Sequence, residues 1–171
     1  MSVKEHKREN HVVNCMILTI SDTRTLETDM SGGLIEEQLK ANGHWISVRD
    51  IIKDDRNDIQ KIVTRACVNP GVEVIICNGG TGIADRDVTI EAIKELFTKE
   101  IPGFGEIFRM LSYKEDIGSA AILSRAVAGT RNQTVIFALP GSTGAVKLAM
   151  EKLIIPELSH IIHELRKESP H

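Results

Sequence analysis

Three short stretches hold most of the side chains and backbone groups able to do chemistry. They are Ser21-Asp22-Thr23-Arg24, Asn78-Gly79-Gly80-Thr81-Gly82 and Pro140-Gly141-Ser142-Thr143-Gly144. Each directly follows an apolar run and leads toward a helical pattern. Glycine lets the backbone approach a ligand closely, and a helix N-terminus adds partial positive charge to the N–H groups it presents. Two such loops, neither containing lysine, point to anionic groups held largely by backbone donors. Tight strand-to-helix connection is the competing explanation for any single loop. It weakens when two glycine loops and a third polar loop share one edge. The chain has no GxxxxGK[ST] motif, and Gly79-Gly80-Thr81-Gly82-Ile83-Ala84 does not fit GxGxxG, so a P-loop and a Rossmann dinucleotide site are both disfavoured.

Acidic residues lie beside these loops. Asp85 and Asp87 follow the glycine stretch, and Asp54-Asp55 follow another strand-like run. Carboxylates repel a phosphate unless a cation lies between them. Magnesium, held by one or two carboxylates together with substrate phosphates, removes that conflict. Helix capping is the competing role: Asp87 for a helix beginning at Val88, and Asp55 or Asp58 for an earlier one. Histidine contributes little. His6, His11 and His171 lie near the ends, His44 opens a strand, and His160 and His163 fall on what is expected to be a solvated helix face. No serine stands in nucleophile-elbow spacing, so a hydrolase triad is disfavoured.

The elements that position these residues alternate. Residues 12–20 (VVNCMILTI), 71–77 (GVEVIIC) and 134–139 (TVIFAL) are continuous apolar runs, as a parallel strand buried on both faces requires. Residues 45–53 (WISVRDIIK) include Arg49 and Asp50 and are placed nearer an edge, with Trp45 packed. Between them the apolar period becomes helical. Ile59, Ile62, Val63, Ala66 and Cys67 form one stripe, as do Val146, Ala149, Met150, Leu153 and Ile154, continued by Leu158, Ile161, Ile162 and Leu165. Pro156 is expected to kink or split that last segment. Shorter helices are expected over 31–41, ended by Asn42-Gly43, and over 88–97. The stretch 104–125 reads as two helical pieces broken at Asp116-Ile117-Gly118. Residues 126–131 then form a strand that turns through Arg131-Asn132-Gln133 into the next, the one antiparallel pairing expected. In an open parallel sheet ligands bind beyond the carboxyl ends of the strands, where all three loops fall. The fold class is α/β, a three-layer α/β/α sandwich with a mostly parallel sheet.

The 171 residues carry 21 basic and 24 acidic side chains, a formal net charge of −3 that gives no footprint for nucleic acid or an anionic membrane. Hydrophobic content of 42% and charged content of 26% place the chain among ordinary globular domains and exclude disorder, collagen and coiled coil. No apolar run is long enough to span a bilayer. The polar first ten residues speak against a secretory leader. Cys15, Cys67 and Cys77, odd in number and each in an apolar stretch, are expected as reduced core thiols of a cytoplasmic protein. Residues 1–11 are expected to be a flexible N-terminal tail, with some fraying of the last few residues, and 12–171 a single domain.

The motifs Leu18-Thr19-Ile20-Ser21-Asp22, Asn78-Gly79-Gly80-Thr81-Gly82 with Asp87-Val88-Thr89, and Leu139-Pro140-Gly141-Ser142 resemble the MoaB/MogA family of molybdenum cofactor biosynthesis proteins, whose fold is shared by the gephyrin G domain. The likeness runs from about Val12 to Pro156. Pro102-Gly103-Phe104-Gly105-Glu106-Ile107-Phe108-Arg109-Met110-Leu111-Ser112 and Ser124-Arg125-Ala126-Val127-Ala128-Gly129 resemble the MoaB branch in particular. The resemblance implies the molybdopterin-binding fold, assembled as a trimer or hexamer. It also implies Mg²⁺-dependent adenylyl transfer from ATP to the phosphate of molybdopterin, followed by molybdate insertion by a MoeA-type partner. By motif, the acidic pair falls on Asp54 and Asp87, as catalytic residues and metal ligands. Ser21, Asp22, Gly79, Gly80, Thr81, Gly82, Pro140, Gly141 and Ser142 would form the substrate pocket. Many members that adenylylate carry Pro-Asp-Glu where this chain has Lys53-Asp54-Asp55, which leaves Asp54 and Asp55 both open as the metal ligand. A non-catalytic molybdopterin-binding protein of the same pathway is the alternative. A gephyrin-like scaffold and an NAD-dependent redox enzyme rank below it.

Overall fold

The structure, a computed structural model, describes residue 2 and residues 11–167. Of the expected N-terminal tail only Ser2 and His11 fall within this range, and the end of the chain expected to fray lies partly outside it. Six strands form one sheet: β1 (Asn14–Ile20), β2 (Trp45–Ile52), β3 (Val74–Asn78), β4 (Lys99–Glu100), β5 (Val127–Arg131) and β6 (Thr134–Leu139), in the order β2-β1-β3-β6-β5-β4. β2, β1, β3 and β6 are mutually parallel. β5 returns antiparallel to β6 through Asn132, whose φ of 54° suits a tight turn, as the sequence predicted. β4 adds a second antiparallel pairing, against β5, that the sequence did not predict. It is two charged, exposed residues long and has no apolar signature.

The helices are α1 (Met30–Ala41), α2 (Arg56–Cys67), α3 (Thr89–Lys94), α4 (Pro102–Glu115), α5 (Thr143–Ala149) and α6 (Ile155–Leu165). A 3-10 segment at Gly118–Leu123 follows the break that the sequence predicts after α4. Strand residues alternate between two cores. Cys15, Ile17, Val74, Ile76, Val135 and Phe137 pack against α1, α4, α5 and α6 through residues such as Ile35, Leu39, Phe108, Val146 and Leu158. Leu18, Ile20, Ile75, Cys77, Ile136 and Ala138 pack against α2 and α3 through Ile59, Val63, Ile90 and Ile93. This is the expected three-layer sandwich, and the central strands are apolar throughout because both faces are covered.

Local chemistry sets the boundaries. Asp29 caps α1 by accepting from the Gly32 N–H at 3.0 Å, and Gly43 follows its end at φ 81°. Before Pro156 the helix widens into a π turn at Met150–Ile154, and α6 then restarts with proline in its first turn. Proline lacks an N–H and its ring crowds the carbonyl four residues earlier, so the expected split takes this form. Trp45 does not pack as expected. It stands on the edge strand β2 and is 69% exposed. Cys15, Cys67 and Cys77 are buried and free, and burial raises the thiols of Cys15 and Cys77 to about 12. Among the described residues no helix is long and apolar enough to cross a membrane.

Phe137 sits at the centre of the larger core, edge-to-face with Phe104 at a ring separation of 5.1 Å. Phe137→Ala is expected to cost about 3–5 kcal/mol, against under about 0.5 kcal/mol for Trp45→Ala, in urea unfolding at fixed protein concentration.

Candidate functional site

The strand order places the exits of β1, β3 and β6 side by side, and glycine allows them to touch. Gly79, at φ 95°, donates its N–H to the Leu139 carbonyl at 3.0 Å. A Cβ there would stand 2.3 Å from the Ile20 carbonyl oxygen, and one at Gly141 would stand 3.1 Å from the Gly79 Cα. The three loops named from the sequence therefore form one surface. Ser21 folds its hydroxyl back to accept from the Thr23 and Arg24 N–H groups, at 3.2 and 3.1 Å. Ser142 caps α5 by accepting from the Ala145 N–H at 3.2 Å, while Pro140 is half-buried between that cap and the end of β6. Arg24 reaches across to the Gly141 carbonyl at 3.3 Å, and the Ser31 hydroxyl donates to the same oxygen.

The exit of β2 brings in the acidic residues. Asp54 donates its backbone N–H to an Asp22 carboxylate oxygen at 3.1 Å, and its own carboxylate accepts from the Val88 N–H at 3.4 Å. A Cβ on Gly80, whose φ is 66°, would lie 2.9 Å from both Asp54 carboxylate oxygens and 2.3 Å from the Thr89 hydroxyl. A Cβ on Gly82 would lie 2.6 Å from a carboxylate oxygen of Asp87. Asp54 and Asp87 thus pack directly against the glycine loop. Asp55 turns away and caps α2, accepting from the Asp58 N–H at 2.9 Å. Asp87 does not cap α3. Val88 occupies the cap position without a side-chain bond, and Asp87 instead accepts from the Ala84 N–H at 3.3 Å. Asp85 is exposed.

Burial raises the Asp54 carboxyl above its ordinary value. The Val88 N–H opposes that shift, the Asp87 and Asp22 charges add to it, and Arg86 offsets part of it. Two fully buried polar atoms at the same edge, Asn78 Oδ1 and Thr89 Oγ1, have no hydrogen-bond partner. Asn78 donates to Thr19, which donates to the buried carboxylate of Asp29, so β1, β3 and α1 are tied together directly behind the loops.

Arg125 was not among the sequence-derived site residues, although it lies in a stretch that resembles the MoaB branch. From the start of the β5 region it donates to the Thr81 carbonyl at 2.9 Å and the Gly82 carbonyl at 2.6 Å, while pairing with Glu91 on α3. Its separation of more than 40 residues from the loop hides this contact from local sequence patterns.

Fold and site together define a three-layer α/β protein whose ligand edge consists of two touching glycine loops and an acidic cluster. The family described as "Probable molybdopterin binding domain" matches residues 16–160. Molybdenum cofactor biosynthesis protein B of Bacillus subtilis (strain 168) is 59% identical over 169 residues, 98% of this chain and 99% of that one. Among solved structures, a molybdenum cofactor biosynthesis protein B superposes with a TM-score of 0.91 at 55% identity, covering 94% of this chain and 100% of that one. The tungsten cofactor synthesizing protein MoaB from Pyrococcus furiosus superposes with a TM-score of 0.81 at 39% identity, covering 91% and 98%. The chain belongs to the molybdopterin-binding-domain family of molybdenum cofactor biosynthesis proteins, in its protein B (MoaB) branch.

The raised Asp54 carboxyl has a consequence for folding. Between its unfolded and folded values the folded state holds the extra proton, so stability falls as pH rises through that window. At neutral pH the ionised group therefore opposes folding. Asp54→Asn keeps an oxygen for the Val88 N–H and is expected to raise Tm by about 1–2 °C at pH 7, with the gain vanishing toward pH 4, in thermal scans across pH.

Proposed function

We propose that this chain binds molybdopterin and ATP on the loop edge and transfers an adenylyl group from Mg-ATP to the pterin's phosphate, within molybdenum cofactor biosynthesis. The observation that carries this reading is Asp54. Its carboxylate is packed against Gly80 and feels the charges of Asp87 and Asp22, offset in part by Arg86. An anion cradle so close to like-charged carboxylates calls for a bound cation. That fits Mg²⁺, which takes one or two carboxylates and completes its shell with water and substrate phosphate.

Asp54 and Asp87 would hold the ion, and bound there it would neutralise charge on the triphosphate and polarise the α-phosphate. The remaining work falls to the chain's own groups. An oxygen of the molybdopterin phosphate attacks the α-phosphorus of ATP, the bond to the bridging oxygen breaks, and pyrophosphate leaves. The nucleophile is already an anion at neutral pH, so no general base is needed. The Gly79–Gly82 loop would hold phosphate groups through N–H donors. Ser21, Asp22, Thr81 and the Pro140–Ser142 loop would bound the pocket and fix the in-line approach. The adenylylated product would pass to a molybdate-inserting partner of the MoeA type in the cytoplasm, a compartment that suits three free, buried thiols.

We also place a homo-oligomer interface on α4. Ile107, Met110 and Tyr113 stand every three residues along it, and Ile117, Ile122 and Leu123 follow in the chain, all of them exposed. Large apolar side chains exposed in such number on one segment suit an association site.

With purified protein, molybdopterin, ATP and Mg²⁺, mass spectrometry is expected to show adenylylated pterin and pyrophosphate. Asp54→Asn and Asp87→Asn should lower turnover by about a hundredfold or more while molybdopterin still binds. Bound pterin with no adenylylated product from the unaltered chain would instead make this a non-catalytic molybdopterin-binding protein. In sedimentation velocity, Ile107→Glu combined with Met110→Glu should convert a trimer or hexamer to monomer, with the far-UV circular dichroism unchanged.

A further inference from the structure

We infer that Arg125 is a positioning residue that builds the phosphate-binding face of the glycine loop from behind, by holding the Thr81 and Gly82 carbonyls so that the next two N–H groups point together at the ligand. This inference rests on the phosphate-handling role proposed above for the same loop.

The geometry is specific. Arg125 Nε donates to the Thr81 carbonyl at 2.9 Å, and a terminal nitrogen donates to the Gly82 carbonyl at 2.6 Å. In a planar trans peptide the N–H lies opposite the C=O. Fixing these two carbonyls on Arg125 therefore turns the N–H groups of Gly82 and Ile83 to the other side of the loop. Successive N–H groups aimed together make an anion-binding concavity, and a guanidinium on the far side of both peptides polarises them in the favourable sense. The arginine fork supplies two parallel donors at a fixed spacing, which a lysine ammonium does not.

Glu91 holds the guanidinium in place by accepting from both of its terminal nitrogens. Arg125 is therefore committed to the loop and to Glu91. The other glycine loop is built in the same manner: Arg24 and Ser31 both donate to the Gly141 carbonyl, which turns the Ser142 N–H away from them. Arg109 provides an internal comparison. It lines the same cleft as Arg125 but donates to the Ala126 carbonyl at 3.3 Å, away from the loop.

The test is a TROSY amide spectrum of the full chain with Mg-ATP and, separately, with molybdopterin, together with calorimetric binding. In the unaltered protein the Gly82 and Ile83 amides should shift on binding. In Arg125→Gln those shifts should be lost and Kd should rise by about tenfold, with Arg125→Lys between the two and Arg109→Gln matching the unaltered protein. A response to molybdopterin alone would still support the inference and assign the N–H pair to the pterin phosphate. Arg125→Gln with both shifts intact and Kd within twofold would overturn it. So would an unaltered protein that binds ligand by calorimetry while the two amides stay still, and in that case adenylyl transfer stands or falls separately on the product assay. If neither ligand binds at all, both readings fall.

Discussion

The contact on which the rest of the site depends is the one between the peptide at Gly79 and the Ile20 carbonyl. A side chain at position 79 would require an atom 2.3 Å from that oxygen, and Gly141 crowds the same residue from the β6 side. Three parallel strands can end this close together only if their exits carry no side chains at the points of contact. Because β1, β3 and β6 are neighbours in the sheet, the contact turns three sequence-distant loops into one surface. Because β2 lies next to β1, its exit delivers Asp54 to Asp22 and to Gly80. The strand order is thus the device that assembles the acidic cluster against the backbone cradle.

Two of the cations near this edge face loop carbonyls, while Arg86 stands exposed near Asp54. Arg24 and Arg125 both bond to loop carbonyls, and Arg125 is further neutralised by Glu91, whose own carboxyl lies below its ordinary value because of that bond. The loops gain donor strength from Arg24 and Arg125, which are committed to those carbonyls. An anionic ligand would then be met by peptide dipoles, with the carboxylates of Asp54 and Asp87 left for a cation that arrives with it. Such an arrangement would suit the metal–phosphate pair of the proposed reaction.

Much of this was legible in the sequence, for identifiable reasons. Strands covered on both faces must be continuously apolar, so β1, β3 and β6 are evident as sequence runs, and parallel pairing assigns the loops after them to one edge. β4 could not be found, because two charged residues carry no periodic signal. Trp45 was misplaced because an edge strand exposes positions that its residue type would normally bury. Sequence spacing left Asp54 and Asp55 open. The fold separates them, since Asp55 caps α2 while Asp54 turns to the loop. Arg125 escaped because its significance lies in carbonyls more than 40 residues away, a relation that only the packing of the 3-10 segment and β5 beside α3 creates.

The two ends of β3 show how stability and function are separated along five residues. Glu73, just before the strand, is buried, which would raise its carboxyl; yet the Asn14 N–H at 2.7 Å, His11 and Arg166 together hold it below the ordinary value. It joins the entry to β1 and the end of α6 in one satisfied cluster. At the other end, Asn78 Oδ1 and Thr89 Oγ1 are buried without partners, and Asp54 is shifted in the opposite direction. Unpaired buried polar atoms and a carboxylate pushed toward its neutral form both oppose folding. Of the three buried polar atoms without partners among the described residues, two lie at this edge and the third is Arg49 Nε on β2. The distribution is uneven: Glu73 gathers His11, Asn14 and Arg166 at the entry to β3, whereas two unsatisfied polar atoms remain near its exit.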